Sequence, residues 1–374
     1  GTANYGFKAS IQITASHNPA EYNGMKVSTT NAAAVGFDAG LGTIKQWIDE
    51  GKPCVPVTKK GQVYQKDIHQ DYLNFLLKFK EDWSNLKIAM DLSNGMANLY
   101  AKKIFGAQPT YIFDTIDGRF PNHEPNPLVA KNVVALQELV RKTGADIGVI
   151  YDGDADRVMF VDENARFISP DLMIAVLGHY FLEKKGEKGI VLQDIRSSKA
   201  VGEYLTPMGA QMATWKVGRA FAANKLRELN GIYGGELAGH YYFRDFFFSD
   251  SGLLASMLIL NVVAAMKKKG VSLSQLIAGI EKYKNSGEVN FKIENKKEAM
   301  DAVRDHFLAQ EKPTAYMDFD GYRVEFPRWW FNVRPSNTEP YLRFICEADS
   351  DELLADKLAQ VKDILVNKFG GEQK

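Results

Sequence analysis

The stretch "ADIGVIYDGDADR", Ala145 to Arg157, decides the fold class. Its apolar half has the length and the isolated polarity of a strand buried on both faces, and three aspartates follow directly. Two further runs, "LKIAMDLSNG" from Leu86 and "GIVLQDIRSS" from Gly189, repeat this pattern and also reach an aspartate. Such strands belong to sheets covered by helices, and ligands bind outside the carboxyl ends of the strands. We therefore predict α/β domains whose aspartate-bearing turns lie at a ligand site.

Helical patterns separate these strands. "QKDIHQDYLNFLLKF" (65–79) places its apolar residues on one face, and "KNVVALQELVRKTG" (131–144) does the same and ends at Gly144. The last part of the chain alternates instead: "GEVNFKIEN" and "GYRVEFPRWWFNVRPSNTEPYLRFICEAD" predict antiparallel strands, flanked by helices at 296–310 and 351–369. The predicted fold is several related α/β domains with mainly parallel, mixed sheets, followed by an α+β domain.

We expect domain boundaries near Val63, Pro170 and Ser286, which divide the chain into 1–63, 64–170, 171–286 and 287–374. The chain begins "GTANYGF", without Met, at what reads as a buried strand. We expect from this that the first domain is truncated and that the natural N-terminus lies upstream.

The composition excludes several classes of protein. The 374 residues carry 46 basic and 46 acidic side chains, so net charge favours neither nucleic acid nor a membrane surface. An anionic substrate therefore needs a locally basic site. Cys54 and Cys346 form no spacing pattern, which indicates a reducing cytoplasm rather than a disulfide or zinc framework. No apolar run reaches the ~18 residues of a membrane span, and no signal peptide is recognisable.

Asp152, Asp154 and Asp156 alternate directly after their strand. Carboxylates so close repel one another unless a cation neutralises them, and hard oxygen ligands select Mg²⁺, Ca²⁺ or Mn²⁺. An EF-hand is disfavoured because Arg157 stands where that loop needs glycine and "RVMFVDE" reads as a strand. A solvated acidic turn is the other alternative. Because Mg²⁺ keeps positions open for phosphate oxygens, we expect Arg157 to hold the same phosphate.

The segment "RPSNTEP" predicts a second anion site. Arg334 is followed by Ser336, Asn337 and Thr338, whose side-chain and backbone donors suit a phosphate, and Arg343 is an additional charge. An ordinary turn is an equal alternative, because Pro, Ser and Asn are common turn residues.

Glu236 and His240 lie four residues apart, among small residues, in "GGELAGHYYFRDF". The carboxylate can accept hydrogen bonds from sugar hydroxyls and the histidine can transfer a proton, although a metal-binding or purely structural pair is the alternative. Upstream, "WKVGRAF" brings Lys216 and Arg219 to a glycine-bearing turn at a helix start, where they either contact an anion or remain exposed charges.

The segment "ITASHNPAEYNGMKV" (13–27) admits two interpretations. Asn18 followed by Pro19 predicts a helix start with Asn18 as N-cap, which leaves Ser16 as a turn residue. Alternatively, a phosphate on Ser16 lies at that helix start, with Lys26 as an acid/base group or charge partner. "SHNP" is not a G-x-S-x-G elbow, so a hydrolase triad is disfavoured.

The order TASHNP, DGDADR, GELAGH, RPSNTEP resembles the α-D-phosphohexomutase superfamily, in its phosphomannomutase/phosphoglucomutase branch, over nearly the whole chain. The resemblance implies a cytoplasmic isomerase that interconverts hexose 1-phosphate and hexose 6-phosphate through a phosphoserine enzyme and a hexose 1,6-bisphosphate. It also implies a monomer or dimer that binds Mg²⁺ and sugar phosphates, but neither nucleic acid nor membranes.

By the same resemblance, Ser16 is the phosphorylated residue and shares Mg²⁺ with Asp152, Asp154 and Asp156. Arg157 stabilises the transferring group, and Lys26 and His240 occupy acid/base positions. The residues implied for the sugar are Glu236, His240, Lys216 and Arg219, and those implied for the non-reacting phosphate are Arg334, Ser336, Asn337, Thr338 and Arg343.

Two positions depart from the family pattern, because Ala238 replaces a usual serine and Arg219 a usual histidine. The sequence therefore leaves mannose, glucose and glucosamine open, and a phosphoglucosamine mutase is the alternative within the family. Outside it, the alternatives are a non-catalytic sugar-phosphate-binding protein and a metal-dependent phosphatase.

Overall fold

The computed structural model describes residues 1–336 and 340–374, so Asn337 and Thr338 lie outside the described residues. Within that part of the chain, we find no helix with both the length and the apolar character that a membrane crossing needs.

The strands are β1 Ala9–Ile13, β2 Met25–Thr29, β3 Ile88–Asp91, β4 Thr110–Ile112, β5 Ile147–Tyr151, β6 Val158–Asp162, β7 Phe167–Ile168, β8 Gly189–Asp194, β9 Ala210–Trp215, β10 Tyr233–Gly235, β11 Tyr241–Phe243, β12 Ser249–Asp250, β13 Lys284–Asn285, β14 Val289–Lys292, β15 Ala315–Met317, β16 Tyr322–Glu325, β17 Trp329–Pro335, β18 Tyr341–Ala348 and β19 Glu372–Gln373. The α-helices are α1 Leu41–Asp49, α2 His69–Leu77, α3 Ala101–Phe105, α4 Val134–Thr143, α5 Pro170–Gly178, α6 Lys199–Leu205, α7 Arg219–Glu228, α8 Gly252–Lys268, α9 Leu273–Ile280, α10 Lys296–Gln310 and α11 Asp351–Lys362.

Two five-stranded sheets share one topology. The first has the order β4-β3-β5-β6-β7 and the second β9-β8-β10-β11-β12. In each sheet, the first strand along the chain pairs in parallel with the second and third, and the fourth and fifth strands add in antiparallel fashion. This repeat confirms the prediction of related α/β domains with mixed sheets.

The strands and helices predicted after residue 64 are observed with small differences at their ends. Every residue of β3 and β5 is buried, as expected for aliphatic strands covered on both faces. Gly144 ends α4 in the left-handed conformation, with φ 61°. The last predicted helix is α11, which continues beyond Lys362 as a π-helical segment, Asp363–Lys368.

The longest helix, α8, joins the two sheets through one hydrophobic core. It carries no charge before Lys267, and a helix that is apolar on all sides must be buried. It packs against β6 of the first sheet and against α5, and its residues belong to the same hydrophobic cluster as strands of both sheets. The two α/β units therefore depend on each other for burial.

Leu258 lies fully buried in the middle of α8. We expect Leu258→Ala to lower the free energy of unfolding by about 2–5 kcal/mol, because it removes buried methyl groups and leaves a cavity. Urea unfolding followed by circular dichroism measures the change. The same truncation at the exposed Leu77 of α2 serves as the control and should cost far less; equal losses for both variants would contradict the shared core.

The C-terminal unit is an antiparallel sheet of order β15-β16-β17-β18-β14-β19, with β13 also paired to β18. Its own core includes α10 and the end of the chain. Arg323 of β16 fixes this unit to the loop after β8, because its Nη1 donates to the carbonyl oxygens of Ile195 and Ser197 at 2.8 and 2.7 Å. The predicted α+β unit is thus observed.

Two expectations for the N-terminal part are wrong. The residues before Ala9 form turns rather than a buried strand, and Ile11 and Ile13 of β1 are 63% and 65% exposed, because β1 pairs with β2 alone. No helix follows Asn18-Pro19 either. Met25 already pairs with Ile13, and the backbone N–H of Thr14 donates to the carbonyl of Gly24 at 3.0 Å, so the segment closes as a hairpin loop.

Candidate functional site

Three hairpin loops meet at one place. They connect β1 to β2 (14–24), β5 to β6 (152–157) and β10 to β11 (236–240), and each lies between two antiparallel strands. Arg157 and His240 form a β-bridge between the second and third loops. A side chain at Gly153 would place its Cβ 2.4 Å from the carbonyl oxygen of Ser16, so only glycine allows the first and second loops to approach.

The three predicted aspartates form one cluster. Asp152, Asp154 and Asp156 each offer a carboxylate oxygen, and these atoms lie within 4.8 Å of one another. Burial and the two neighbouring carboxylates raise the pKa of Asp152 well above its usual range. Burial raises the pKa of Asp156 to about 6, opposed by His240 and assisted by Asp250 and Asp154. Ionised together, these groups need a cation.

Lys26 of β2 already supplies one positive charge. Its Nζ lies 2.6 Å from Oδ2 of Asp154 and 2.5 Å from Oδ2 of Asp156. Although burial opposes its charge, Asp156 and Asp154 raise the pKa of Lys26, so it is protonated here. The lysine therefore acts as a counter-ion between two of the three aspartates.

The donor set fits a divalent cation with oxygen ligands. Among the described residues, Oδ1 of Asp154 and Oδ1 of Asp156 are buried and have no hydrogen-bond partner. A buried carboxylate oxygen without a partner is costly, and a hard cation satisfies it. Asp156, His240 and Asp250 also lie close enough to bind a metal, but Asp250 is already engaged by Arg219 and His240.

Ser16 lies at the tip of the first loop in the left-handed conformation, with φ 58°. Its Oγ is 3.4 Å from Nη2 of Arg157 and 3.3 Å from Nδ1 of His17, and Arg157 and His17 also contact each other. Its backbone N–H donates to Oγ1 of Thr14 at 2.8 Å, and that hydroxyl donates to Asp154 at 2.8 Å. Thr14 thus links the serine loop to the aspartate cluster.

The surroundings of Ser16 suit an anion better than a hydrolase relay. Within residues 1–336 and 340–374, His17 is the histidine beside Ser16, and no carboxylate contacts its ring, so a Ser–His–Asp triad is not formed there. Instead, Arg157 offers a guanidinium whose Nε is held by Asp152 at 3.0 Å. A guanidinium beside a hydroxyl is the arrangement expected for a phosphorylated serine.

The third loop carries Glu236 and His240. Glu236 is buried and accepts from the backbone N–H of Gly218 at 2.7 Å and from the hydroxyl of Tyr242 at 2.9 Å, and burial raises its pKa. His240 has its Nδ1 2.9 Å from Oδ2 of Asp250, which leaves Nε2 as its other exchangeable nitrogen. Both side chains are therefore held in fixed orientations.

Arg219 and Lys216 flank Gly218 at the start of α7. Nε of Arg219 lies 2.9 Å from each carboxylate oxygen of Asp250 and 3.6 Å from Oδ2 of Asp156. Lys216 stacks its Nζ over the ring of Phe221 at 5.7 Å. The structure thus brings Arg219 to the aspartate cluster, whereas among the described residues Lys216 makes the aromatic contact alone.

The predicted phosphate-binding arginines form a separate cluster in the C-terminal unit. Arg334 of β17 and Arg343 of β18 are cross-strand partners. Arg334 is buried, its pKa is lowered by burial and by Arg196, and its Nε has no hydrogen-bond partner among the described residues. Glu288 accepts from Nη1 of Arg343 at 2.7 Å and from Nη1 of Arg196 at 3.1 Å. A buried guanidinium with an unsatisfied donor suits an anion.

Asp320 connects this cluster to the third loop. One of its oxygens is 4.0 Å from Nη1 of Arg334, and the other accepts from the backbone N–H of Val217 at 2.8 Å. The N–H of neighbouring Gly218 donates to Glu236, so a short chain of contacts leads from the arginines to the carboxylate of the third loop.

Sequence reasoning missed several residues of this site, namely Thr14, His17, Tyr242, Asp250 and Asp320. Thr14 and His17 flank Ser16 in the quoted motif, so the motif itself could have pointed to them. Asp250 carries a weaker signal, because "SDSG" before an apolar helix reads as an ordinary N-terminal cap. Asp320 carries no sequence signal, because packing of the C-terminal unit brings it to Val217 and Arg334.

Four family models of known proteins match successive parts of the chain. Residues 1–51, 62–165 and 169–283 match the alpha/beta/alpha domains I, II and III of phosphoglucomutase/phosphomannomutase, and residues 288–364 match its C-terminal domain. A phosphohexose mutase of Xanthomonas campestris is 35% identical over 94% of this chain and 78% of its own length. A phosphomannomutase of Methanocaldococcus jannaschii is 32% identical over 95% of this chain and 78% of its own length.

The fold is also similar to that of solved structures. A phosphoglucomutase/phosphomannomutase family protein from Burkholderia thailandensis superposes with a TM-score of 0.83 at 27% identity, covering 96% of this chain and 76% of that one.

Proposed function

We propose, because this chain belongs to the phosphoglucomutase/phosphomannomutase family, that it is a phosphohexomutase that interconverts hexose 1-phosphate and hexose 6-phosphate. The observation that carries the proposal is the meeting of the three hairpin loops, which sets Ser16 against Arg157 and the aspartate cluster. Mannose and glucose phosphates are the proposed substrates.

In the proposed reaction, Ser16 carries a phosphoryl group on Oγ. A free hydroxyl of the bound sugar phosphate forms a new bond to phosphorus while the bond from phosphorus to Ser16 Oγ breaks. The proton of the sugar hydroxyl passes to a base, and Ser16 Oγ takes up a proton from an acid. Protonated Lys26 suits the acid, and His240, oriented through Nδ1 by Asp250, suits the base through Nε2.

Asp152, Asp154 and Asp156, with an oxygen of phosphoserine, are the proposed ligands of Mg²⁺, which when bound neutralises charge on the transferring phosphoryl group. Arg157 stabilises the same charge from the side of Ser16, and its bond to Asp152 keeps it in place. Most of the rate enhancement comes from positioning of the reactants and from electrostatic stabilisation, because phosphoryl transfer needs little covalent participation by the protein.

The product of the first transfer is a hexose 1,6-bisphosphate. It turns around in the cleft and returns its other phosphate to Ser16, so the site must accept the sugar in two orientations. The residues proposed for the non-reacting phosphate are Arg334, Ser336, Asn337, Thr338 and Arg343, and those proposed for the sugar are Glu236, His240, Lys216 and Arg219. The buried, unsatisfied Nε of Arg334 supports the first set, and the fixed carboxylate of Glu236 supports the second.

Three further proposals rest on the family. We propose boundaries near Val63, Pro170 and Ser286, a cytoplasmic location, and a protein that acts as monomer or dimer. The hexose 1,6-bisphosphate is the proposed activator, since it phosphorylates Ser16 when that residue has lost its phosphate.

Conversion of mannose 1-phosphate and glucose 1-phosphate to the 6-phosphates tests the function, with Mg²⁺ and a trace of glucose 1,6-bisphosphate present. We expect turnover of both, and glucosamine 1-phosphate belongs in the same panel because a phosphoglucosamine mutase is the alternative. Binding of these compounds without turnover would favour a non-catalytic protein. Release of inorganic phosphate at the rate of substrate loss would instead favour a phosphatase.

A further inference from the structure

Arg219 is held from one side only. Both carboxylate oxygens of Asp250 lie 2.9 Å from its Nε, and Oδ2 of Asp156 lies 3.6 Å from the same atom. Among the residues that the structure describes, neither terminal amino group of Arg219 makes a hydrogen bond, and the side chain is 25% exposed. The two terminal amino groups, which carry parallel N–H donors, are therefore left available to a ligand.

Asp250 holds the guanidinium of Arg219 through Nε. Burial opposes its ionisation, but Arg219 and His240 together hold the pKa of the Asp250 carboxyl well below its usual range. It is 6% exposed and stands in β12, directly before α8. Gly252, at the first turn of α8, packs so closely on the second loop that an added Cβ would lie 2.8 Å from the carbonyl oxygens of Ala155 and Arg157. Asp250 is thus fixed to the aspartate loop by backbone packing.

Two chains of contact link Arg219 to the residues around Ser16. Through Asp156, it shares a carboxylate oxygen with Lys26, which lies 2.5 Å from that oxygen. Through Asp250, it shares a carboxylate with His240, which is bridged to Arg157, and Nη2 of Arg157 is 3.4 Å from Ser16 Oγ. Arg219 belongs to the loops around Ser16 and not to the arginine cluster of Arg334.

The chemistry of these two amino groups indicates an anion rather than a sugar hydroxyl. Two parallel N–H donors match two oxygens of a phosphoryl group, and a guanidinium is charged at every working pH. A phosphoryl group at Ser16 also adds negative charge beside Asp154 and Asp156, so a further cation there is needed to stabilise it.

We infer that Arg219, oriented by Asp250, binds the phosphate at the reacting end of the hexose 1,6-bisphosphate, and so makes the protein retain this intermediate while it turns around. The inference rests on the proposed function and changes one assignment within it, because Arg219 then contacts phosphate and not the sugar. A hexose monophosphate whose phosphate is held by the arginine cluster of Arg334 presents a hydroxyl at the reacting end, so in that orientation it does not use Arg219.

Isothermal titration calorimetry in a Ser16→Ala background tests this, because that protein cannot exchange phosphoryl groups with its ligand. Glucose 1,6-bisphosphate and glucose 1-phosphate are titrated separately with Mg²⁺ present. We expect Arg219→Gln to weaken bisphosphate binding about 10–100-fold and monophosphate binding less than about threefold. Arg219→Lys keeps the positive charge and loses the paired N–H donors, so its bisphosphate affinity should lie between those of the Arg219 protein and Arg219→Gln.

Asp250→Asn tests the positioning role. It keeps Arg219 but removes the charge that holds Nε, so we expect a selective loss for the bisphosphate that is smaller than that of Arg219→Gln. The control is Arg141→Gln, the same change on the exposed surface of α4. Thermal unfolding of each variant shows whether the fold is intact.

The outcomes separate the inference from the function on which it rests. A Ser16→Ala protein that binds neither ligand overturns both. Normal bisphosphate affinity in Arg219→Gln, or equal losses for both ligands, overturns the inference alone, because Arg219 then contributes nothing or binds the sugar.

Discussion

Replacing Ser16 with alanine is expected to lower kcat for hexose phosphate interconversion by at least about 10³-fold. The reason is that the proposed reaction passes through a covalent phosphoserine at Ser16. In the structure Ser16 Oγ is the atom that faces Nη2 of Arg157, and Gly153 allows its loop to reach the aspartate cluster. A coupled assay that reports hexose 6-phosphate measures the change.

Intact-mass spectrometry adds a second readout. Active protein incubated with glucose 1,6-bisphosphate should gain the mass of one phosphate, and the Ser16→Ala variant should not. Ser84→Ala, at an exposed serine outside the site, is the matched control and should keep both activity and the added mass. Full activity in Ser16→Ala would show that the phosphoryl group is carried elsewhere or not at all.

Asp154→Asn is expected to lower kcat by about 10²–10³-fold while KM changes little, because charge on the transferring group is stabilised mainly in the transition state. The substitution keeps the shape of the side chain and removes one negative ligand. It also breaks the ion pair with Lys26 at 2.6 Å, so the ammonium is left with Asp156 alone.

The dependence of activity on Mg²⁺ concentration tests the same residue. Mg²⁺ titrated into wild-type protein should restore activity after chelation, and Asp154→Asn should need a far higher concentration. Asp305→Asn, at an exposed aspartate on α10, provides the same change outside the site. A rise in KM with normal kcat would mean that Asp154 only helps to bind substrate.

The α/β part of the fold could be predicted because its signals are local. Buried strands such as β5 are short aliphatic runs, and α4 ends at a glycine that adopts positive φ. The aspartate cluster was recognisable for the same reason, since its ligands lie in one hexapeptide after a strand. The equivalence of the two sheets was only partly predictable, because strand order depends on contacts between distant segments.

The helix predicted after Asn18-Pro19 shows where local signals fail. A cap residue followed by proline has the same sequence in a helix start and in a hairpin loop, and pairing of β1 with β2 decides between them. Lys26 is a related case, because the sequence suggested an acid/base group or a charge partner but could not show that the ammonium joins Asp154 and Asp156. Asp250 and Asp320 act through residues far away in the chain, so their roles needed the folded structure.

The shared position of the three loops has a consequence for how this protein changes over evolution. The serine loop joins β1 to β2, the aspartate loop β5 to β6, and the sugar loop β10 to β11, each across an antiparallel pair. The loops of the two five-stranded sheets occupy the same position in one shared strand order, and in the proposed reaction the three loops would carry the nucleophile, the metal ligands and the sugar contacts. Because His240 of the loop between β10 and β11 is also the proposed base, we expect mutations around Glu236, rather than at His240, to alter the preferred hexose while phosphoryl transfer is kept.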